Sequence, residues 1–323
     1  LDVTADRYMT VSEDLHYSVP VPAQAGVANT SVTMNAASME NSGFEFSATY
    51  RNRDHAFKYD ISANLSTLKN KVTSLGFGTD SYITGAYATY VGSEIGKFYG
   101  WVYEGIARTQ EDLDNHATQG GANVGDCLYK DISGPNGEPD GVIDAYDQTV
   151  LGSGLPKVNF GLSTHMEYKG FDLNISTYGV LNYHVSDDIY NSLNSCYGWA
   201  NKDVAMGDAN RFAEDGTYIS NVPRTYATNN ATLAWNDLFS SRKIQNAAYW
   251  KIANVELGYN FPNKWFGGYV SGVRLYVSAQ NIYTFTGYKG YNVDYAGGTF
   301  TPGYNFCSFP SARTFMCGLH FTF

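Results

Sequence analysis

Apolar and polar residues alternate through the last twelve positions, Ala312 to Phe323. Phe315, Cys317, Leu319, Phe321 and Phe323 share one parity, and Thr314, Met316, Gly318, His320 and Thr322 share the other. Successive side chains of a strand point to opposite faces, so this stretch predicts a strand with one apolar face and one small or polar face. The same period recurs upstream. Leu1, Val3 and Ala5 alternate weakly with Asp2, Thr4 and Asp6. Phe44, Phe46, Ala48 and Tyr50 oppose Glu45, Ser47, Thr49 and Arg51; after a turn at 52–55, Phe57, Tyr59, Ile61, Ala63 and Leu65 oppose Lys58, Asp60, Ser62, Asn64 and Ser66. Val158, Phe160, Leu162, Thr164, Met166 and Tyr168 form the next apolar row, and Lys169-Gly170 reverses the chain into Phe171, Leu173, Ile175 and Leu181. Further on, Ala253, Val255, Leu257, Tyr259 and Phe261 oppose Asn254, Glu256, Gly258 and Asn260. Val273, Leu275, Val277 and Ala279 oppose Arg274, Tyr276, Ser278 and Gln280. Strands are therefore expected near 43–51, 56–68, 157–168, 170–185, 247–261, 269–284 and 312–323, with one more at the very start. The stretch from Pro20 to about Ser42 reads as a polar connection.

The connections alternate between long and short. A soluble sandwich has no reason to gather every long loop at one end, whereas an outer-membrane barrel has short periplasmic turns and long extracellular loops. The polar parity carries Arg, Glu, Asn, Asp, His and Gln, as a wet channel would, and the apolar parity is almost free of charge. Tyr50, Phe57, Tyr59, Tyr168, Phe171, Tyr259, Phe261 and Tyr283 cluster at strand ends, where interfacial aromatic girdles sit. The expected fold class is all-β: an antiparallel transmembrane β-barrel with about eight strands in this chain and the C-terminus on the periplasmic side. Eight strands can close alone, but the loops here hold more residues than the strands.

Composition sharpens this picture. Among 323 residues only 16% are charged, while 15% are aromatic, 27 of them Tyr. The net charge of -10 speaks against a general attraction to nucleic acid. No run of 18 apolar residues offers a membrane-crossing helix. The start carries no basic and apolar leader pattern, and Leu1 already lies in a patterned segment. The chain is expected to be part of a longer protein or an internally cut product. The cysteines (Cys127, Cys196, Cys307, Cys317) form no CxxC pair, and sequence leaves room for one disulfide among the first three.

Several segments together resemble the SusC-like (SusC/RagA) TonB-dependent transporters of Bacteroidetes. Tyr249 to Pro262, YWKIANVELGYNFP, resembles their "SYLRLKNITLGYNLP" signature, and Leu275 to Gly290 resembles "LRVYVSGQNLFTFTKYKG". Asn292-Val293-Asp294 departs from the usual "DPE" that follows. Gly43-Phe44-Glu45 is similar to the "GFE" strand start, Gly92 to Gly105 to "GxPIGSFYGYVYDGIF", and Lys130 to Pro156 to "KDLNGDGxIDxxDRxxIGxxxP". The resemblance covers nearly the whole chain in order. It implies that residues 1–323 are the C-terminal portion of a barrel of about 22 strands, with the plug domain and earlier strands outside this chain. It also implies active import of oligosaccharides or peptides across a Gram-negative outer membrane. The implied partners are a SusD-like surface lipoprotein and the TonB–ExbB–ExbD energy-coupling complex, with dimers of SusC–SusD-like pairs. The alternative is a small non-transporting surface barrel, an adhesin or structural protein. A plug domain of about 150 residues ahead of Leu1 would favour import.

One stretch has the order of a calcium loop. From Asn136, oxygen side chains stand at relative positions 1, 3, 5, 9 and 12 (Asn136, Glu138, Asp140, Asp144, Asp147), with Gly141 at position 6 and the Val142 carbonyl at position 7. Asn at the first position and Asp at the last depart from the usual loop. The competing reading is an Asp/Gly turn held by side-chain to backbone hydrogen bonds. No catalytic set is visible: the six histidines are scattered and no nucleophile, metalloprotease or phosphate-loop motif occurs, so the chain is read as a non-enzyme with no cofactor beyond a structural Ca²⁺ ion. Candidate substrate contacts are the loop aromatics Tyr99, Trp101, Tyr103, Tyr197, Trp199, Trp235 and Tyr291, whose rings can stack on sugars or pack against peptide side chains. The alternative for these rings is packing within the loops.

Overall fold

The computed structural model describes residues 1–20, 31–76, 78–196, 201–226, 235–266, 270–294 and 297–323, with side chains described for all of these except 17–20 and 31–32. Eight long strands make one antiparallel sheet in sequence order: Asp2–Pro20, Ser31–Asn52, Phe57–Thr67, Val158–Tyr168, Phe171–Leu181, Tyr249–Phe261, Gly272–Thr286 and Thr314–Thr322. A short strand, Lys69–Ser74, continues past the third and pairs with the second. The order confirms the meander expected from alternating turns and loops. At the tightest turn Lys169 and Gly170 both have positive φ, 49° and 89°. The two-residue hairpin turn that matches strand twist requires positive φ at both central residues, which glycine supplies without strain at the second.

Two expectations need correction. The residues from 31 to 42 are not a connection: they continue the second strand and pair with Met9 to Pro20 across two register shifts. Val32, Met34 and Ala36 alternate with Ser31, Thr33 and Asn35, but the apolar residues change parity at Ala37 and Met39, so the alternation does not run on into the next apolar row. The fifth strand also ends sooner than 185, at Leu181. His184–Asp187 leaves the main sheet to pair with Gln245–Asn246 and, in parallel, with Tyr304–Asn305.

The apolar parity faces outward over the whole sheet. Phe44, Leu257, Leu275, Val277, Leu319 and Phe321 are exposed in this chain, so no dry core lies behind them. Ring contacts run along the turn end: Phe57–Tyr168 at 6.3 Å, Phe171–Tyr259 at 4.6 Å and Phe261–Trp265 at 5.9 Å. Others mark the loop end, Trp250–Phe285 at 5.3 Å and Tyr283–Phe285 at 4.7 Å. Trp250 and Tyr259 belong to opposite girdles on one strand. At about 3.3 Å per residue and a tilt near 40° they stand about 22 Å apart in height, close to the apolar band of an outer-membrane barrel. Among the described residues, no helix is long and apolar enough to cross a membrane. The sheet does not close on itself: Asp2–Pro20 and Thr314–Thr322 are its two ends, each paired on one side within this chain.

Candidate functional site

The inner face is a polar surface built row by row from the register. One row crosses five strands as Asn64, Gly161, Tyr178, Lys251 and Thr284. Another runs Asp60, His165, Asn174, Glu256 and Ser278. Lys251 reaches this face because Ala253 is an extra residue in its strand, a bulge that shifts register against both neighbours. Ala253 therefore does not continue the apolar row of Val255 and Leu257; Trp250 and Ile252 do. Opposite the bulge, Asn281 takes positive φ and donates Nδ2 to the Ala312 carbonyl at 2.9 Å.

Charges on the inner face are paired. Arg274 donates from Nε and Nη2 to the two Asp172 oxygens at 3.0 and 2.5 Å and from Nη2 to Glu256 at 2.6 Å. Asn260 Nδ2 adds a bond to Asp172 at 2.8 Å. A planar guanidinium suits this bidentate geometry. Gly258 leaves room for it: a Cβ there would lie 2.5 Å from Asp172 Oδ2 and 2.6 Å from Arg274 Nη2. His165 bridges Asn174 at 2.7 Å and Glu167 at 2.9 Å. Towards the loop end, a cavity of about 490 Å³ is lined by Asn64, Asn159, Ser163, Ser176, Tyr178 and Tyr249 among others.

Above the strands the long connections fold onto one another. Cys127, Tyr129 and Ile143 form a buried cluster against which Trp101, Tyr103, Trp235 and Leu238 pack. Trp101 Nε1 donates to the Asp144 carbonyl at 3.1 Å, and Trp235 Nε1 donates to the Gly120 carbonyl at 2.8 Å. The Cys127 N–H reaches Asn236 Oδ1 at 2.6 Å, and Arg224 holds Asp126 bidentately at 2.9 and 2.7 Å. All but the Trp101 bond join residues more than ninety positions apart. Burial pushes the Cys127 and Cys196 thiols up to about 12 each, and all four cysteines are free, so the disulfide left open by the sequence is not formed.

The nominated aromatics thus separate. Trp101, Tyr103 and Trp235 hold the loop core together. Tyr99, in the strand Lys97–Gly100, is partly exposed. Tyr291 is 64% exposed and lines a cleft of about 170 Å³ with Lys251, Asn281, Thr284, Asp294 and Ser311. Tyr197 and Trp199 lie outside the described residues. Lys251, only 4% exposed, donates to Asp294 Oδ2 at 2.6 Å, and Tyr178 donates to Asp294 Oδ1 at 3.3 Å. Lys251 and Asp294 are candidate site residues that the sequence reading did not select. A lysine in an otherwise apolar strand start was the available signal, and the bulge hid which way it points.

The candidate calcium residues are not gathered into a cage. Asp147, fully buried, accepts from the N–H groups of Ile132, Ser133 and Asp144. Asp144 caps the turn 145–147 through Tyr146 N–H at 2.7 Å, and Asp140 accepts from Val142 N–H at 3.1 Å. Asn136 and Glu138 are exposed. Among the described residues no three His, Cys, Asp or Glu side chains converge as metal ligands. Asp131, outside the expected set, accepts from Gly141 N–H at 2.7 Å through Oδ2, while its Oδ1 is buried with no donor.

Comparison with known proteins places this geometry. No family model matches the chain. It is 30% identical over its whole length to TonB-dependent receptor P3 of Formosa agariphila, covering 32% of that protein. It is 26% identical over 98% of its length to TonB-dependent receptor SusC of Bacteroides thetaiotaomicron, covering 30% of it. The chain therefore spans about a third of the length of the curated relatives it matches. Its fold superposes on the structure of the RagAB peptide transporter with a TM-score of 0.76 at 21% identity, over 98% of this chain and 32% of that one. The 'open-open' state of the RagAB peptide importer gives 0.74 at 22% identity. With its eight-stranded arc, outward apolar face and polar inner face, the chain has the fold of part of a TonB-dependent receptor β-barrel and is similar in sequence to TonB-dependent receptors, SusC among them.

Proposed function

We propose that this chain is the C-terminal arc of a transporter barrel that imports nutrient oligomers, oligosaccharides or peptides, across the outer membrane. The observation that carries the reading is the inner face: a polar wall of paired charges and hydroxyls beneath folded loops, in a sheet whose edges call for further strands. Strand edges in lipid must be paired, and the chain spans only about a third of the similar receptors, which favours a large barrel over the small closed one. In this reading the loops are extracellular and the C-terminus is periplasmic. A SusD-like lipoprotein covers the loops, such pairs dimerise, and a TonB–ExbB–ExbD complex supplies the energy. Tyr291 and Tyr99 are the nominated aromatics best placed to touch substrate, joined by Tyr178 and Tyr249 lower on the wall. The test is uptake: a strain lacking this receptor, grown on single glycans or peptides, should lose one nutrient and regain it only with an intact coupling complex. Uptake of every nutrient without the receptor would refute import.

A Ca²⁺ ion ordering the 131–147 loop is a second proposal, supported by the donor-less Asp131 Oδ1. Binding would require Asp140 and Asp144 to release the Val142 and Tyr146 amides, so the ion would compete with bonds that already shape the loop.

A further inference from the structure

Where the sixth and seventh strands meet the loops, a cavity of about 330 Å³ opens between Tyr190, Arg242, Gln245, Asn246 and Lys289. A smaller one, about 60 Å³, adjoins it through Tyr190 and Arg242 and adds Lys243. None of the lining residues is acidic, in a chain that carries 31 carboxylates against 21 lysines and arginines. Lys243 has a distant partner, Asp237 at 3.9 Å. Neither Arg242 nor Lys289 has a carboxylate partner among the described residues. The only protein hydrogen bond of the Arg242 guanidinium there runs from Nη1 to the Asn236 carbonyl at 3.3 Å, leaving most of its five donors free. Lys289 Nζ lies over the Tyr190 ring, 5.6 Å from its centre. Gln245 accepts from the Lys289 N–H through Oε1 at 3.0 Å, while its Nε2 is buried without an acceptor.

Cations and donors held together without acceptors carry an energetic cost that an anion relieves. A fork-shaped guanidinium matches the two oxygens of a carboxylate, and a neighbouring ammonium adds a point charge. The cavity is of the size that holds one sugar ring or one side chain. We propose that Arg242 and Lys289, with Tyr190 and Gln245 shaping the walls, form a subsite for a carboxylate carried by the substrate. This deepens the import reading and rests on it for the identity of the ligand: the oligomer admitted here is an acidic one. Its carboxylate belongs to a uronic acid or to an acidic peptide, and the same pocket chemistry serves both.

The test uses the full-length receptor in detergent and measures calorimetric binding of tetragalacturonate and hexaglutamate, each against its uncharged counterpart, the methyl ester and hexaglutamine. At least one acid should bind more tightly than its neutral partner, with affinity falling as salt screens the pair. Lys289→Gln, which keeps the backbone bond to Gln245, should weaken that binding about tenfold, as should Arg242→Gln. Lys264→Gln, at the opposite end of the sheet, should leave it unchanged. The acid that binds identifies the source. Equal binding of acid and neutral ligands, no binding of either acid, or wild-type affinity in Lys289→Gln would overturn the subsite. Nutrient uptake is scored separately. Coupling-dependent uptake with unaltered Lys289→Gln binding removes only the subsite. A confirmed subsite without such uptake removes only the import reading.

Discussion

Replacing Val255 by arginine should block stable insertion, whereas the same change at its neighbour Asn254 should be mild. Val255 is the middle residue of Tyr249–Phe261, paired with Ile175 on one side and Ala279 on the other. It lies six positions from each end of the strand. At about 3.3 Å per residue and a 40° tilt it lies about 15 Å below either end, at the centre of the apolar band. No carboxylate faces it from the adjacent strands. The cost for an arginine at this depth is about 2–4 kcal/mol, which shifts a folding equilibrium by about thirtyfold to a thousandfold. Asn254 points the other way, between Ser176 and Gln280, and an arginine there meets water and the nearby Glu256. Urea titrations of the full-length receptor folding into lipid vesicles would read both costs. Equal losses at 254 and 255 would refute the assignment of faces.

Other consequences follow from single contacts. Arg274→Leu leaves Asp172, whose side chain is only 6% exposed, with Asn260 but without its guanidinium donors, and should cost about 1–3 kcal/mol in the same titration because a buried charge loses its charged partner. Arg274→Lys should recover part of this. Cys127 and Cys196 should resist iodoacetamide at pH 8.5 in the folded receptor while Cys307 reacts, since burial raises both buried thiols to about 12. The sign follows from the raised values: the neutral thiols favour the folded loops fully below the ordinary thiol pKa of 9.0, and this contribution is lost as pH climbs from there towards 12. Calcium added to chelator-treated receptor should slow proteolysis of the 131–147 loop if the ion binds, and Asp131→Asn should remove the protection; identical digestion with and without calcium would dismiss that proposal.

The parts of the fold legible in the sequence were those under membrane constraint. Where lipid lies on one side and water on the other, alternation is enforced, and Phe57–Leu65, Val158–Tyr168 and Phe315–Phe323 display it. Beyond the apolar band no lipid enforces one apolar face, so in Ser31–Ser42 the apolar residues change parity between Ala36 and Ala37, and Ala37 packs into a loop cluster instead. The Ala253 bulge was invisible for another reason: alanine fits either face, and Val255–Phe261 continue a correct alternation from the far side of the slip. That single extra residue sends Lys251 to the inner wall and Trp250 to the girdle. In the loops, composition marked aromatics but could not distinguish a ring that binds from a ring that packs. Trp101 and Trp235 are tied to carbonyls 43 and 115 positions away, a pairing only the folded chain reveals. The acids at 140, 144 and 147 matched a calcium spacing because ion-binding loops and capped Asp turns use the same residues.

The central claim, that these eight strands are one arc of a larger transmembrane barrel, is tested most directly by a cryo-electron microscopy map of the full-length receptor in a lipid nanodisc. The lipid belt should touch Val255, Leu257, Leu275 and Leu319, and the free edges of Asp2–Pro20 and Thr314–Thr322 should each pair with strands from outside this chain. A map in which those two edges pair with each other, closing a small eight-stranded barrel, would contradict it.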